Sequence, residues 1–192
     1  MREITFAEKI SRIREQVHQD LDFSAYDSTE CRNTTNCFSH AIGATASFDQ
    51  IYRIGAISGI KPINEKYFST EEVKKLLSKD METLGLGFEP YKHDSLKENE
   101  YVIVLLIQRY SDGRIHDYHF LRYERDVWTE KWRYSRPMVI DDISRTKYRS
   151  FPWEWSGEYK ITRWLCGVPW GPALFVFFFL DLYDRIIKEI IK

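Results

Sequence analysis

Apolar residues at Ile4, Phe6, Ile10, Ile13, Val17 and Leu21 recur at close to 3.6 residues. That spacing predicts an amphipathic first helix able to cover one face of a sheet. A second helical stretch, STEEVKKLLSKDMETLG, carries Ser69 three residues before Glu72, the pairing of a capping box, and ends near Gly85. Residues 85–99, with Gly85, Gly87 and Pro90, read as a loop. The period then changes. YVIVLLIQRY (101–110) reads as a buried strand, SDGR as a turn centred on Asp112-Gly113, and IHDYHFLRYE as the returning antiparallel arm of a hairpin. VWTEKWRYS and RPMVIDD extend the meander.

The last segment has a different character. From Trp164 to Leu180 there is no charge, but Gly167, Pro169, Gly171 and Pro172 interrupt the run, and about 17 residues is the lower limit for crossing a bilayer. After the prolines, Phe175, Val176, Phe178, Phe179, Leu182 and Ile186 make an apolar helical stripe, which needs cover from the domain, a second copy or lipid. A core or dimer helix fits its length better than membrane docking. The chain thus divides into a domain over 1–162 and an apolar C-terminal segment over 163–192, whose residues 173–192 are expected to pack on the core or to make a homodimer or membrane contact. The order is α, β, α, and the fold class α+β, with helices packed on an antiparallel sheet of four to six strands.

Composition narrows the function. A chain of 192 residues supports one sizeable domain, and a net charge of −1 provides no basic field for nucleic acid. Cys31, Cys37 and Cys166 are odd in number and lack metal-ligand spacing, which argues against a disulfide framework or a zinc site and for a reducing compartment. No Gly-rich or metal motif calls for a cofactor, metal or nucleotide. The N-terminal stretch MREITFAEKISRIREQ has no apolar signal core, so the expected location is cytoplasmic, or outside the cell by a route independent of a signal peptide.

The candidate chemistry begins at TTNCFSHAIG (34–43). Thr34, Thr35 and Asn36 are all capable N-caps, and Cys37 stands where a helix would direct its first N–H groups, which stabilise a thiolate. The short Phe38–Ala46 segment is apolar enough to bury behind the thiol. In IHDYHFLRYE, alternation puts His119 on one face with Ile115, Asp117, Leu121 and Tyr123, and His116, Tyr118, Phe120 and Arg122 on the other. A sheet histidine presented to the helix mouth would serve as base for the thiol, with Asp141, Asp142 or Glu130 orienting the imidazole. His40, at i+3 from Cys37, is a rival base. Asn33, Asn36 or backbone N–H groups are the donors for an oxyanion.

The order of these motifs, NC at a helix start, DYHF on a strand, a tryptophan-bearing next strand, an acidic residue and then FPWEWSGEYKI, resembles bacterial papain-like cysteine peptidases and amidases of the CHAP-like kind. It is closer still to a bacterial group carrying NC, DYHWYR, WSHK and a late glycine-tyrosine strand. The resemblance covers residues from about 30 to 161 and implies a papain-like fold with Cys37 as nucleophile and His119 as base. It implies a peptide, peptidoglycan or protein substrate, with deamidation and acyl transfer using the same atoms. The chain departs from the pattern where WSHK becomes Trp128-Thr129-Glu130-Lys131, so that Glu130 replaces a histidine.

Overall fold

The computed structural model describes residues 4–45, 53–60, 68–141, 148 and 153–163. The apolar segment beyond 163, with Cys166 and the 173–192 stripe, lies outside the described residues, as does Asp142. Helix α1 (Phe6–Val17) opens with a capping box between Thr5 and Glu8 and buries Ile10, Ile13 and Val17, while Phe6 is left exposed. A 3-10 turn (Phe23–Asp27) and helix α2 (Thr29–Thr34) follow, then helix α3 (Cys37–Ile42). Helix α4 (Thr70–Leu84) has the expected Ser69–Glu72 capping box and stops at Gly85, whose φ of 71° is left-handed. The buried carboxylate of Asp80 on α4 accepts from the Gly55 amide at 2.6 Å and the Ser58 amide at 2.8 Å, tying segment 53–60 to the helix.

The strands are β1 (Gly87–Pro90), β2 (Glu100–Arg109), β3 (Ile115–Glu124), β4 (Val127–Glu130), β5 (Met138–Ile140) and β6 (Trp153–Thr162). They form one antiparallel sheet in the order β1-β6-β2-β3-β4-β5. The architecture is α+β, with six strands. Strand β1 corrects the loop expected over 85–99: four residues are too few to show alternation, and only their pairing with β6 makes them a strand. Helix α3 also ends earlier than expected, because Gly43 turns the chain at φ 81°.

β2 lies between β3 and β6, and every side chain from Tyr101 to Ile107 is fully buried. Its alternate residues feed two cores. Tyr101, Ile103, Leu105 and Ile107 pack with α1, α3 and α4, whereas Val104 and Leu106 pack with Leu121, Ile140 and Tyr148 under half-buried Trp128, Trp132, Trp153 and Trp155. β6 serves both layers by means of a bulge. Its register slips between Leu105 and Leu106, so Trp155 falls on the aromatic side although Tyr159 and Ile161, of the same parity, fall on the helix side.

Gly157, at φ 151°, occupies that bulge, and a Cβ there would come within 2.4 Å of the Tyr159 hydroxyl oxygen. Tyr159 stacks on Phe88 at 4.7 Å, so its ring cannot yield without loosening β1. Gly157→Ala is expected to cost about 2 kcal/mol, from backbone strain and the displaced ring. Urea unfolding of the two proteins measures the difference, and equal midpoints would refute the strain.

Candidate active site

The thiol is set by a six-residue helix secured at both ends. Asn36 is extended and N-caps α3, its Oδ1 accepting the Ser39 amide at 2.9 Å and the Ser39 hydroxyl at 3.1 Å. At the other end the Gly43 and Ala44 amides close on the His40 and Ser39 carbonyls. The Arg122 guanidinium, fully buried on β3, donates to the carbonyls of His40 at 3.2 Å and Ala41 at 2.9 Å. Phe38 meets Phe120 with ring centroids 5.5 Å apart. These contacts seat α3 on the Tyr118, Phe120 and Arg122 face of β3.

His119 points the other way. Its ring stacks on Trp132 at 4.1 Å and neighbours Tyr148 and Trp153, on the aromatic face of the sheet. The expectation that it would meet the helix mouth face to face is therefore corrected: strand alternation sends it through to the opposite layer. Among the described residues, the thiol instead hydrogen-bonds the strand backbone. Cys37 Sγ donates to the Tyr118 carbonyl at 3.8 Å, and the Phe120 amide faces it as well. Alternate residues of an antiparallel strand direct their N–H and C=O groups to the same edge, and β4 begins pairing with β3 only at Leu121. The thiol thus occupies the edge of β3 just before β4 takes over.

The imidazole is anchored. Glu130 pairs across from Leu121, which puts its side chain on the same face as His119, and its Oε2 lies 3.0 Å from His119 Nε2. The Tyr148 hydroxyl donates to the same oxygen at 2.8 Å. Burial alone would raise the Glu130 carboxyl, but the bonds from His119 and Tyr148 outweigh it and hold the group below its ordinary value. Nε2 is therefore the donor to a carboxylate, and Nδ1, which makes no hydrogen bond among the described residues, is the acceptor when the ring is neutral.

Cys37 and His119 meet at a cavity of about 730 Å³ whose lining also includes Asn36, Lys131 and Trp132. Arg53, His116 and Asp117 line it as well, and all three are exposed. The remaining sequence candidates are placed as follows. Asp141 is exposed just past β5, and Asn33 is exposed on α2. His40 is fully buried, its Nε2 3.0 Å from the Thr129 hydroxyl and its Nδ1 3.5 Å from the Tyr26 hydroxyl. Burial, aided by the Arg122 charge, lowers it well below the usual imidazole range. It is a neutral structural group, not a base facing the cavity. Tyr148, Lys131 and Trp132 were not anticipated. The alternation in WTEKW (128–132) carried the signal, since Trp128, Glu130 and Trp132 reach the aromatic layer while Thr129 and Lys131 reach the helices. Among the described residues no group of three or more His, Cys, Asp and Glu side chains is arranged to hold a metal ion, and no helix is long and apolar enough to cross a membrane.

Burial pushes the Cys37 thiol up to about 12, despite the opposing N–H groups of Phe120, Phe38 and Cys37 itself. In the resting protein, alkylation of Cys37 by iodoacetamide should be slow at about pH 7 and rise roughly tenfold per pH unit to about pH 10. Peptide mapping by mass spectrometry reads this directly, and a rate at neutral pH matching free cysteine would contradict it. Glu130 has the opposite sign: its lowered value contributes stability above the ordinary 4.5 that is lost as pH falls through the folded value. Glu130→Gln should flatten the acid limb of a stability–pH curve, and an unchanged limb would show that the His119 pair does not stabilise the carboxylate. No protein-family model matches the chain, and no curated protein or solved structure is significantly similar to it.

Proposed function

We propose that the protein is a cysteine-dependent amide hydrolase of the papain-like, CHAP-like kind, a peptidase or amidase that forms an acyl-enzyme on Cys37. The observation that carries this reading is the state of His119: one nitrogen is anchored on Glu130 at 3.0 Å, the other has no partner among the described residues, and the ring borders the cavity that receives Cys37. A base oriented from behind by a third group, with a nucleophile in the same cavity, is the arrangement that nucleophilic catalysis requires. Glu130, not Asp141, takes the orienting role.

The chemistry runs across the β3 edge. With substrate seated, His119 Nδ1 accepts the Sγ proton and Sγ attacks the amide carbonyl carbon. The C–N bond then breaks and the proton passes to the leaving amine. Water cleaves the resulting thioester, releases the acid and restores the thiol. The first-turn N–H groups of α3 and the Asn36 amide are the donors for the transient oxyanion. Because the resting thiol is buried and protonated, activation belongs to the substrate complex, where hydrogen bonds that are loose in the free enzyme tighten. Peptide amides, with peptidoglycan stem peptides foremost, are the substrate class, and a deamidase or acyltransferase would use the same atoms. A second reading, a papain-like binding module without turnover, is favoured by the thiol's bond to the Tyr118 carbonyl.

The two readings separate on an activated acyl donor and a natural amide. p-Nitrophenyl acetate should acetylate Cys37, read as one added acetyl in the intact mass, and peptidoglycan stem peptides should be cleaved. Cys37→Ala and His119→Ala should each lower turnover by about 10³-fold or more and Glu130→Gln by roughly 10–100-fold, with Cys37→Ala leaving the melting temperature nearly unchanged. Turnover that survives in Cys37→Ala would overturn the enzyme reading. No acylation of the parent protein, together with retained ligand binding, would establish the binding module.

A further inference from the structure

Lys131 is buried completely, yet among the described residues it has no carboxylate partner. Its Nζ donates to three backbone carbonyls, those of Thr35 at 2.9 Å, Arg32 at 3.3 Å and Arg133. Carbonyl oxygens only accept, so all three bonds require three N–H donors, which only the ammonium has. Taking a charge out of water without an opposite charge beside it is costly. The charge is fixed two residues before Cys37 by its bond to Thr35, and Lys131 borders the same cavity as the thiol.

We infer that Lys131 is an electrostatic positioning residue for Cys37: its clamped ammonium favours the thiolate and the oxyanion formed there, and its carbonyl bonds hold the residues leading into the helix mouth. This inference rests on the cysteine-hydrolase reading. Several titratable groups surround Lys131. On its own side lie the Cys31 thiol and the Tyr26 ring, 5.8 Å from Nζ. From α3 comes His40, which the Lys131 charge helps to keep neutral, with Arg122 and His119 of β3 acting on His40 in the same sense. Among the described residues the Asp117 carboxylate opposes the Cys37 thiolate, whereas Lys131 and Cys37 attract, each favouring the other's charged form. Burial lowers Lys131 itself to about 8, so the aid it gives fades above that pH.

The test separates charge from packing and does not need a substrate. Lys131→Met and Lys131→Gln remove the charge, and Lys131→Arg keeps it. The second-order rate of Cys37 alkylation by iodoacetamide at about pH 7 should fall roughly tenfold in the two neutral variants and recover at least half-way in Lys131→Arg. Equal rates in all four proteins, with native circular dichroism, would overturn the inference even if Cys37 proves catalytic. If the neutral variants do not fold, the coupling is read in reverse on Lys131. NMR titration of its Nζ in Cys37→Asp and Cys37→Asn should show a higher midpoint in the Asp protein, and identical midpoints would overturn the inference. Loss of turnover in Cys37→Ala bears on the hydrolase reading alone, and the alkylation rates bear on Lys131 alone.

Discussion

A six-residue helix cannot hold a side chain in place with its own hydrogen bonds, because so few of its backbone groups find partners inside it. The Arg122 guanidinium removes that weakness. It ties the carbonyls of His40 and Ala41 to the centre of the sheet, and it is in turn held by Glu124 at 2.7 Å and lies over the Tyr101 ring at 3.8 Å. Arg163, at the end of β6, grips the same Glu124 and the same ring. Three strands therefore contribute to seating one short helix. The position of the thiol is a tertiary property: without Arg122 the Asn36 cap would have nothing firm to cap.

The buried charges fall into two kinds. Arg122, Glu124 and Arg163 compensate one another, and Glu130 is satisfied by hydrogen bonds from His119 and Tyr148. Such networks set geometry at little net gain in stability, because desolvation offsets most of the attraction. Among the described residues the exceptions are Asp80, answered by the Gly55 and Ser58 amides and the Ser58 hydroxyl, and Lys131, answered only by carbonyl dipoles. The place of Lys131 next to the cavity fits the tendency of unbalanced buried charge to concentrate where chemistry is done.

Much of this was legible in the sequence. The capping box at Ser69 and Glu72, the apolar run of β2 and the Asp112-Gly113 turn are local signals, and local signals survive folding intact. Cys37 at a helix start was equally readable, since the Asn36 cap acts over three residues. What could not be read depends on pairing. That Glu130 rather than Asp141 faces His119 follows from the Leu121–Glu130 register, which no single strand reveals. That α3 packs on the Phe120 side rather than the His119 side follows from which layer the helices occupy. β1 is a strand only because β6 lies beside it.

The bulge in β6 carries a consequence for how such a sequence can change length. Trp153, Trp155, Tyr159 and Ile161 are all odd-numbered, as though one face were meant, but the extra residue at Ser156 divides them between the two cores. Losing that one residue would not shorten a loop. It would rotate half a strand about its axis, turning either the tryptophans or the Tyr159–Ile161 pair into the wrong layer. A comparison of this chain with any other therefore has a fixed point inside a strand: a gap opened at Ser156 exchanges inside for inside, and both cores would have to be rewritten to accept it.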